Sequence, residues 1–240
     1  MTDLTEQVRS KRQLGEQNER LEQFTRVAAH DLRNPLNAIS GYADLARRTG
    51  DVGHLENVDP AVERIETLID ALLTLGEGGQ MVDNTVPLSV ATTAERAGRR
   101  LEAGAATVDI EEDVTVLADE RRFLQLLENI VSNAVEHGSR SPPSQGGDEA
   151  VTHDGVTVTV GSCPDGFYVA DDGVGIPTGD RAEVFEYGYS THGTTGLGLP
   201  VVRSIAVAHG WNVTVTEGDD GGARFEFTGV ETAPVAGDGG

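Results

Sequence analysis

The apolar positions of this chain keep a helical period through its first third, then give way to a mixture of helical and alternating patterns. Residues 1–27 are rich in Glu, Gln, Arg and Leu and lack proline, which predicts a helix. A heptad runs through Leu4, Gln7, Lys11, Leu14, Asn18, Leu21, Thr25 and Ala28. Half of those seam positions are polar, so the pattern predicts a coiled coil that is weak on its own and reads equally as a solvated helix. The helix is predicted to continue through Ala38, Ile39, Tyr42, Leu45 and Ala46 and to stop near Thr49 and Gly50. After a short loop over 51–56, Val58, Val62, Ile65, Ile69, Leu72 and Leu73 line one side of a second helix over 57–75. Two such helices form an antiparallel hairpin. A single hairpin leaves its apolar stripes uncovered, whereas two hairpins cover each other, so the expectation is a dimeric four-helix bundle.

Beyond a Gly-rich linker at 76–80 the pattern becomes mixed. Short strands are predicted over 85–88, 107–110 and 114–117, with a helix over 89–103 between the first two. Asp119 caps a long helix reaching His137, whose buried stripe is Phe123, Leu126, Leu127, Ile130, Val131 and Ala134. Residues 139–150, with Pro142, Pro143 and a Gly pair, read as loop. Alternation over 156–160 and 166–170 predicts one hairpin, and 211–216 with 223–228, around the Gly-rich turn 218–222, predicts another. A Gly-led helix occupies 195–207. From Val230 the chain is Gly, Pro, Ala and acid, which predicts disorder. The fold class is therefore α+β in two domains: a helical domain over 1–80, an α/β domain over 81–229 and a disordered tail over 230–240.

Composition restricts the partners. The 240 residues carry a formal net charge of −22, and the 18 basic residues include a single lysine, Lys11. Such a chain does not seek nucleic acid or an anionic membrane by charge. The acids are spread between periodic segments rather than gathered in a tail, which fits a protein of a salt-crowded cytoplasm, where screening removes most self-repulsion. Cys163 is alone, so no internal disulfide forms and a reducing compartment is expected. The first residues are polar and charged and no long apolar run occurs, which predicts neither a signal peptide nor a membrane span and a cytoplasmic location.

Five clusters carry candidate chemistry. Val27-Ala-Ala-His-Asp-Leu-Arg-Asn-Pro-Leu36 places His30 and Asn34 on one helix face with Asp31 beside the imidazole. Pro35 leaves the carbonyl of residue 31 without its helical donor and bends the helix just after His30. That suits an exposed, oriented histidine; the residue types alone equally suit a kinked surface helix. Asn129 and Asn133 share a face of the long helix, and carboxamide oxygens are hard neutral ligands suited to Mg²⁺, although such a pair also makes a plain polar rim. Asp171, in Val169-Ala-Asp-Asp-Gly-Val-Gly-Ile176, stands at a strand end before Gly173 and Gly175. A turn of that kind approaches a planar ligand closely while the carboxylate accepts from an exocyclic amine. Glu183-Val-Phe-Glu-Tyr-Gly-Tyr-Ser190 is a flap or a packed loop. Gly193-Thr-Thr-Gly-Leu-Gly-Leu-Pro200 leads a helix with glycines, and backbone N–H groups at a helix start receive phosphate.

In this order, the five clusters resemble the boxes of sensor histidine kinases of two-component signalling. His30 with Asp31-Leu-Arg-Asn-Pro-Leu36 is similar to the family's H-box, and the other four are similar to its N, G1, F and G2 boxes. The resemblance spans roughly residues 20–228. It implies a helical dimerisation and phosphotransfer domain followed by an α/β-sandwich ATP-binding domain of the Bergerat fold. It further implies an ATP-dependent protein-histidine kinase that phosphorylates His30 and passes the phosphoryl group to an aspartate of a response regulator. His30 would be the phosphoacceptor, with Asp31 fixing its tautomer, and Asn34 would position a water for dephosphorylating the regulator. Asn129 and Asn133 would hold Mg²⁺, and Asp171 would bind adenine. Gly173 and Gly175 would form the base-side turn of the ATP site, Gly196 and Gly198 its phosphate-side loop, and His137 would belong to the nucleotide-binding set.

The sequence departs from the family pattern in four places. Glu136 stands where a Lys or Arg is usual, with Arg203 a candidate to compensate. Thr194 replaces the first glycine of the G2 box, Asp31 replaces a more common Glu, and the lid between Tyr187 and Gly196 is short. Two other functions share the architecture: a catalytically silent dimeric scaffold that binds regulators, and an ATPase clamp of the repair or chaperone type. The His30 segment ahead of the ATP domain argues against the clamp.

Overall fold

The computed structural model describes residues 28–29, 32–76, 81–101, 105–138, 155–186, 189 and 196–233. The chain divides into two compact units, one of Met1–Leu73 with Tyr187–Leu197 and one of Thr74–Glu186 with Gly198–Gly240. The helix and heptad expected over 1–27, the loop over 139–150 and the tail beyond 233 lie outside the described residues.

In the first unit, α1 runs over 32–49, passes through a buried Pro35, and closes where Gly50 N–H donates to Ala46 O at 2.8 Å. The connection expected as loop contains a 3₁₀ helix, Val52–Asn57. Its start is fixed by Asp51, whose side chain accepts from Gly53 N–H at 2.9 Å, a local bond that apolar periodicity does not register. Helix α2, Asp59–Gly76, opens with Pro60, tolerated in a first turn whose N–H groups have no intrahelical partner, and with Asp59 against the positive end of the helix dipole. Leu68 and Ala71 are buried, whereas Leu36, Leu45, Leu55, Val62, Ile69 and Leu73 are exposed, Leu73 at 60%. Six large apolar side chains left in water on one hairpin are the mark of an uncovered face.

The second unit is a helical layer on one sheet. Its elements are β1 (Val86–Ser89), α3 (Val90–Gly98), β2 (Ala106–Ile110), β3 (Thr115–Ala118), α4 (Glu120–Gly138), β4 (Val156–Cys163), β5 (Gly166–Asp171), α5 (Gly198–Ala208), β6 (Asn212–Glu217) and β7 (Ala223–Thr228). The five-stranded sheet has the order β2-β4-β5-β7-β6, and β1 pairs with β3 in a separate ribbon. Strand β2 joins β4 in parallel and every other pairing is antiparallel. Helix α4 lies between α3 and α5, and all three cover the same sheet. Both predicted hairpins form, β4–β5 and β6–β7. The parallel pairing crosses a helix and a ribbon, and nothing local in the sequence encodes it.

An aromatic knot anchors this layer. Phe123 of α4, Phe167 of β5 and Trp211 ahead of β6 meet edge to face with centroids 5.8, 6.0 and 5.9 Å apart. Phe227 stacks on Phe167 at 4.7 Å. All four rings are buried, and such pairs add roughly 0.5–1.5 kcal/mol each beyond their burial.

Four boundaries differ from the sequence reading. Helix α5 opens at Gly198 rather than at 195, because Gly196 ahead of it takes a left-handed conformation at φ +61°. Helix α3 stops at Gly98, short of residue 103, because the chain turns there to meet β2; a Cβ on Gly98 would lie 3.1 Å from Val108 Cγ2. Strand β4 continues past 160 to Cys163, since Gly161, Ser162 and Cys163 are held by pairing with β5 although they break the alternation. The tail does not become disordered at Val230. Leu117 N–H donates to Glu231 O and Ala233 N–H to Thr115 O, both at 2.9 Å, and Val230 is buried. Composition predicted disorder, but the backbone adds a bridge to the open side of β3, which requires no apolar pattern.

His209 ties α5 to α4. Its Nδ1–H donates to Ile205 O at 2.8 Å and its Nε2 accepts from Asp119 N–H at 3.0 Å, an arrangement that requires a neutral ring. Burial lowers its pKa below the ordinary 6.5, and nearby Arg122 lowers it further, against the Ile205 hydrogen bond and Asp119. As pH falls below 6.5 the unfolded chain takes up the proton first, so stability drops until the lowered native pKa is passed, then levels. Urea midpoints measured across that window are expected to fall for the wild type and to be nearly flat for His209→Gln. Equal slopes would show that the ring is not held neutral.

Candidate active site

Asp171 is the last residue of β5, and its surroundings come from three separate elements. Its Oδ1 accepts from Gly173 N–H at 2.9 Å, in the loop that follows, and from Ala223 N–H at 3.2 Å, at the start of β7. Asp172 has a different task. Its Oδ1 accepts from Thr157 N–H at 2.9 Å and its own N–H donates to Thr157 O, which pins the strand end to β4. Of two adjacent aspartates, one is therefore spent on the sheet and the other is turned toward the helices.

Glycine makes that crowding possible. A Cβ on Gly173 would lie 2.6 Å from Gly138 Cα, at the end of α4, and 2.9 Å from Asp171 Oδ1. Gly175 has φ +70°, a left-handed conformation, and a Cβ there would meet Gly221 O at 2.7 Å. The loop is held further by Arg181, whose Nε donates to Ile176 O at 3.0 Å and whose guanidinium lies 3.5 Å from Glu217. Sequence reading passed over Arg181, an isolated cation in an acidic stretch.

Burial raises the Asp171 carboxyl above its ordinary range. The Gly173 and Ala223 amides oppose that rise, Asp172 adds to it, and His137 from α4 opposes it. His137 thus sits near enough to Asp171 to act on its charge. On the same helix, Asn129 Nδ2 donates to Gln125 O at 2.8 Å. That bond turns its Oδ1 toward the start of α5, where a Cβ on Gly198 would lie 3.3 Å away. Asn133 follows one turn later on the same face, half-buried. A carboxamide whose nitrogen is committed and whose oxygen points at a helix N-terminus suits a hard cation and its phosphate partners.

The second unit therefore brings together Asn129, Asn133, His137, Asp171, Gly173, Gly175 and Gly198. Asn34 is exposed on α1 in the first unit, and Gly196 belongs to the segment grouped with that unit. His30, Asp31 and the residues 190–195 that include Gly193 and Thr194 lie outside the described residues. Glu136 is exposed and accepts from Ser132 Oγ at 3.3 Å, and Arg203 lies 3.5 Å from Glu186. The β6–β7 turn, expected only as a connection, closes on Asp171; its run Gly218-Asp-Asp-Gly-Gly222 was the available signal, because two adjacent glycines allow close backbone approach. Among the described residues no helix is long and apolar enough to cross a membrane.

Comparison with known proteins places both segments. Residues 20–80 match the His Kinase A (phospho-acceptor) domain, and residues 118–231 match the histidine kinase-, DNA gyrase B- and HSP90-like ATPase. The probable sensor histidine kinase TcrY of Mycobacterium tuberculosis is 31% identical over 217 residues, 81% of this chain and 42% of that protein. The sensor histidine kinase CpxA of Escherichia coli is 31% identical over 219 residues, 82% of this chain and 44% of that protein. This chain thus spans less than half the length of these curated relatives. Among solved structures, full-length ShkA in complex with AMPPNP superposes with a TM-score of 0.60 at 25% identity, covering 89% of this chain and 47% of that one. The Acinetobacter baumannii histidine kinase AdeS shares the fold at a TM-score of 0.55 and 22% identity, covering 82% of this chain and 95% of that one.

A raised pKa means that the native state keeps the Asp171 proton to higher pH than the unfolded chain. Its contribution to stability therefore declines as pH rises through the native value. Asp171→Asn keeps an oxygen for both amides and removes the buried charge. Its thermal midpoint at neutral pH is expected to equal or exceed the wild type's, with less decline above about pH 4. A clearly lower midpoint would mean that the ionised form stabilises the fold.

Proposed function

We propose, from the premise that this chain belongs to the histidine kinases of two-component signalling, that it phosphorylates itself on His30 at the expense of ATP. It then passes the phosphoryl group to an aspartate of a response regulator's receiver domain. The observation that carries this reading is the order of the two segments: a phosphoacceptor domain with a histidine at position 30 precedes an ATPase domain in one chain.

Each residue then has a role. The neutral His30 ring attacks the γ-phosphorus of ATP with one nitrogen, the bond to the β-phosphate oxygen breaks, and ADP leaves. Asp31 accepts the N–H of the other ring nitrogen, which fixes the tautomer and takes up the positive charge that develops. Asp171 receives the exocyclic amine of adenine on the oxygen that Gly173 and Ala223 leave open. His137 flanks the base, Gly173 and Gly175 allow its close approach, and Gly196 and Gly198 frame the phosphates. Asn129 and Asn133 would hold Mg²⁺, which when bound neutralises phosphate charge. Asn34 orients water in the reverse sense, dephosphorylating the regulator.

The exposed stripe from Leu36 to Leu73 is covered by a second copy, which gives a homodimer. The net charge of −22 with one lysine assigns the protein to the cytoplasm of a halophile, where ATP and the regulator are present and salt screens the surface. No nucleic-acid contact belongs to this function. Glu136 makes the phosphate side poor in cations, and Arg203 is engaged by Glu186, so binding depends on salt and on the metal rather than on a basic side chain.

Incubation with γ-labelled ATP and Mg²⁺ in molar KCl is expected to give acid-labile, alkali-stable label on the wild type, none on His30→Gln and little on Asn133→Ala. ATP binding without label would favour the silent scaffold, and label retained in His30→Gln would remove the assigned phosphoacceptor. Light scattering of Val62→Asp/Ile69→Asp is expected to show half the wild-type mass. An unchanged mass would place the dimer contact elsewhere.

A further inference from the structure

The β6–β7 turn makes no use of its side chains in the reading above, yet its backbone leaves no room for a side chain against Asp171. A Cβ on Gly222 would fall 1.9 Å from Asp171 O and 2.4 Å from Asp171 Oδ1. Neither separation is possible for real atoms, so no other amino acid occupies position 222 without moving Asp171 or the turn. The next residue, Ala223, donates its N–H to the same Oδ1 at 3.2 Å. The turn is closed on itself by Gly218 N–H to Gly222 O at 2.8 Å and Gly221 N–H to Gly218 O at 3.0 Å. It is braced against the other side of the site as well, since Gly221 O lies where a Cβ on Gly175 would be 2.7 Å away.

We infer that the turn Gly218–Gly222 is a latch that positions Asp171 and thereby sets base selectivity, with Gly222 the positioning residue; this rests on the kinase reading in which Asp171 receives adenine. By contact and by hydrogen bond, the latch holds Oδ1 toward the backbone and presents the second oxygen of the carboxylate. An oxygen held in one place accepts from the 6-amino group of adenine and repels the 6-oxo group of guanine. A carboxylate free to rotate would accept from amino or ring N–H donors of either base. Gly222 touches no ligand in this scheme, and its effect passes through Asp171. Gly179, outside the latch, provides the control: a Cβ there would meet nothing within 4 Å.

The test compares ATP and GTP binding to the full chain and to Gly222→Ala and Gly179→Ala, with folding followed by circular dichroism. Gly222→Ala is expected to lose about tenfold or more in ATP affinity and to lose its preference for ATP over GTP. Gly179→Ala should stay within about twofold on both counts. General destabilisation would reduce the binding-competent fraction for both nucleotides equally and leave the preference intact. A folded Gly222→Ala with intact preference overturns the latch. If Gly222→Ala does not fold, amide NMR of the wild type and Asp171→Asn decides: Ala223 and Gly222 amides that shift on the substitution, and in the wild type on adding ADP, support the latch, and unmoved amides overturn it. A wild type that binds neither nucleotide overturns the kinase reading itself, while the Ala223 amide in Asp171→Asn still reports whether the latch exists.

Discussion

The candidate site of the second unit is organised around one partly buried carboxylate. Desolvation opposes charge at Asp171, and the group is tolerated because Gly173 and Ala223 each supply a backbone N–H to the same oxygen. Side-chain donors would have given a longer, softer mount. Main-chain donors tie the carboxylate to the sheet on one side and to a closed turn on the other, so its position is as fixed as the strands themselves. The glycines at 173 and 222 follow from that constraint, since each stands where a Cβ would enter a neighbouring backbone or the carboxylate, whereas a Cβ on Gly138 would meet the Val156 side chain at 2.7 Å.

A mount of this kind needs a rigid base, and the aromatic knot supplies it. Phe167 lies four residues before Asp171 on β5 and packs on Phe123 of α4, six residues before Asn129. The same contact therefore sets the spacing between the strand that presents the carboxylate and the helix that presents the carboxamides. His209 adds a second brace from the end of α5 to the first residue before α4, so the helix that begins at Gly198 is held at its far end. A site assembled from α4, β5 and α5 thus has all three elements fixed by contacts outside the site.

The periodic elements of the second unit were legible in the sequence. Asp119 capped α4 as its side chain allows, with Arg122 N–H donating to it at 2.9 Å, and both antiparallel hairpins followed from alternation around glycine turns. What sequence could not supply were relations at a distance. The parallel pairing of β2 with β4 carries no local sign. The strand-like course of Glu231 to Ala233 runs against its composition because only its backbone is used. The role of Asp172 in holding Thr157, as opposed to its neighbour's, is invisible until the strand end is built, since the two residues are chemically identical. The β6–β7 turn was read as a connection for the same reason: glycines announce close approach without naming what approaches.

Charge is the remaining difficulty for a nucleotide site on this chain. ATP is a polyanion and the protein carries −22, with Glu136 exposed on α4 and Arg203 facing Glu186. Long-range repulsion of this kind decays over about 10 Å in dilute buffer and about 3 Å in molar salt, so salt removes most of it beyond contact distance. What survives at contact must come from groups that salt does not screen there. Backbone N–H groups at the start of α5 and the neutral oxygens of Asn129 and Asn133 would be such groups, because hydrogen bonding and coordination act at contact rather than through net charge. An acidic surface and a phosphate site are thus compatible when binding is assigned to dipoles and ligand oxygens.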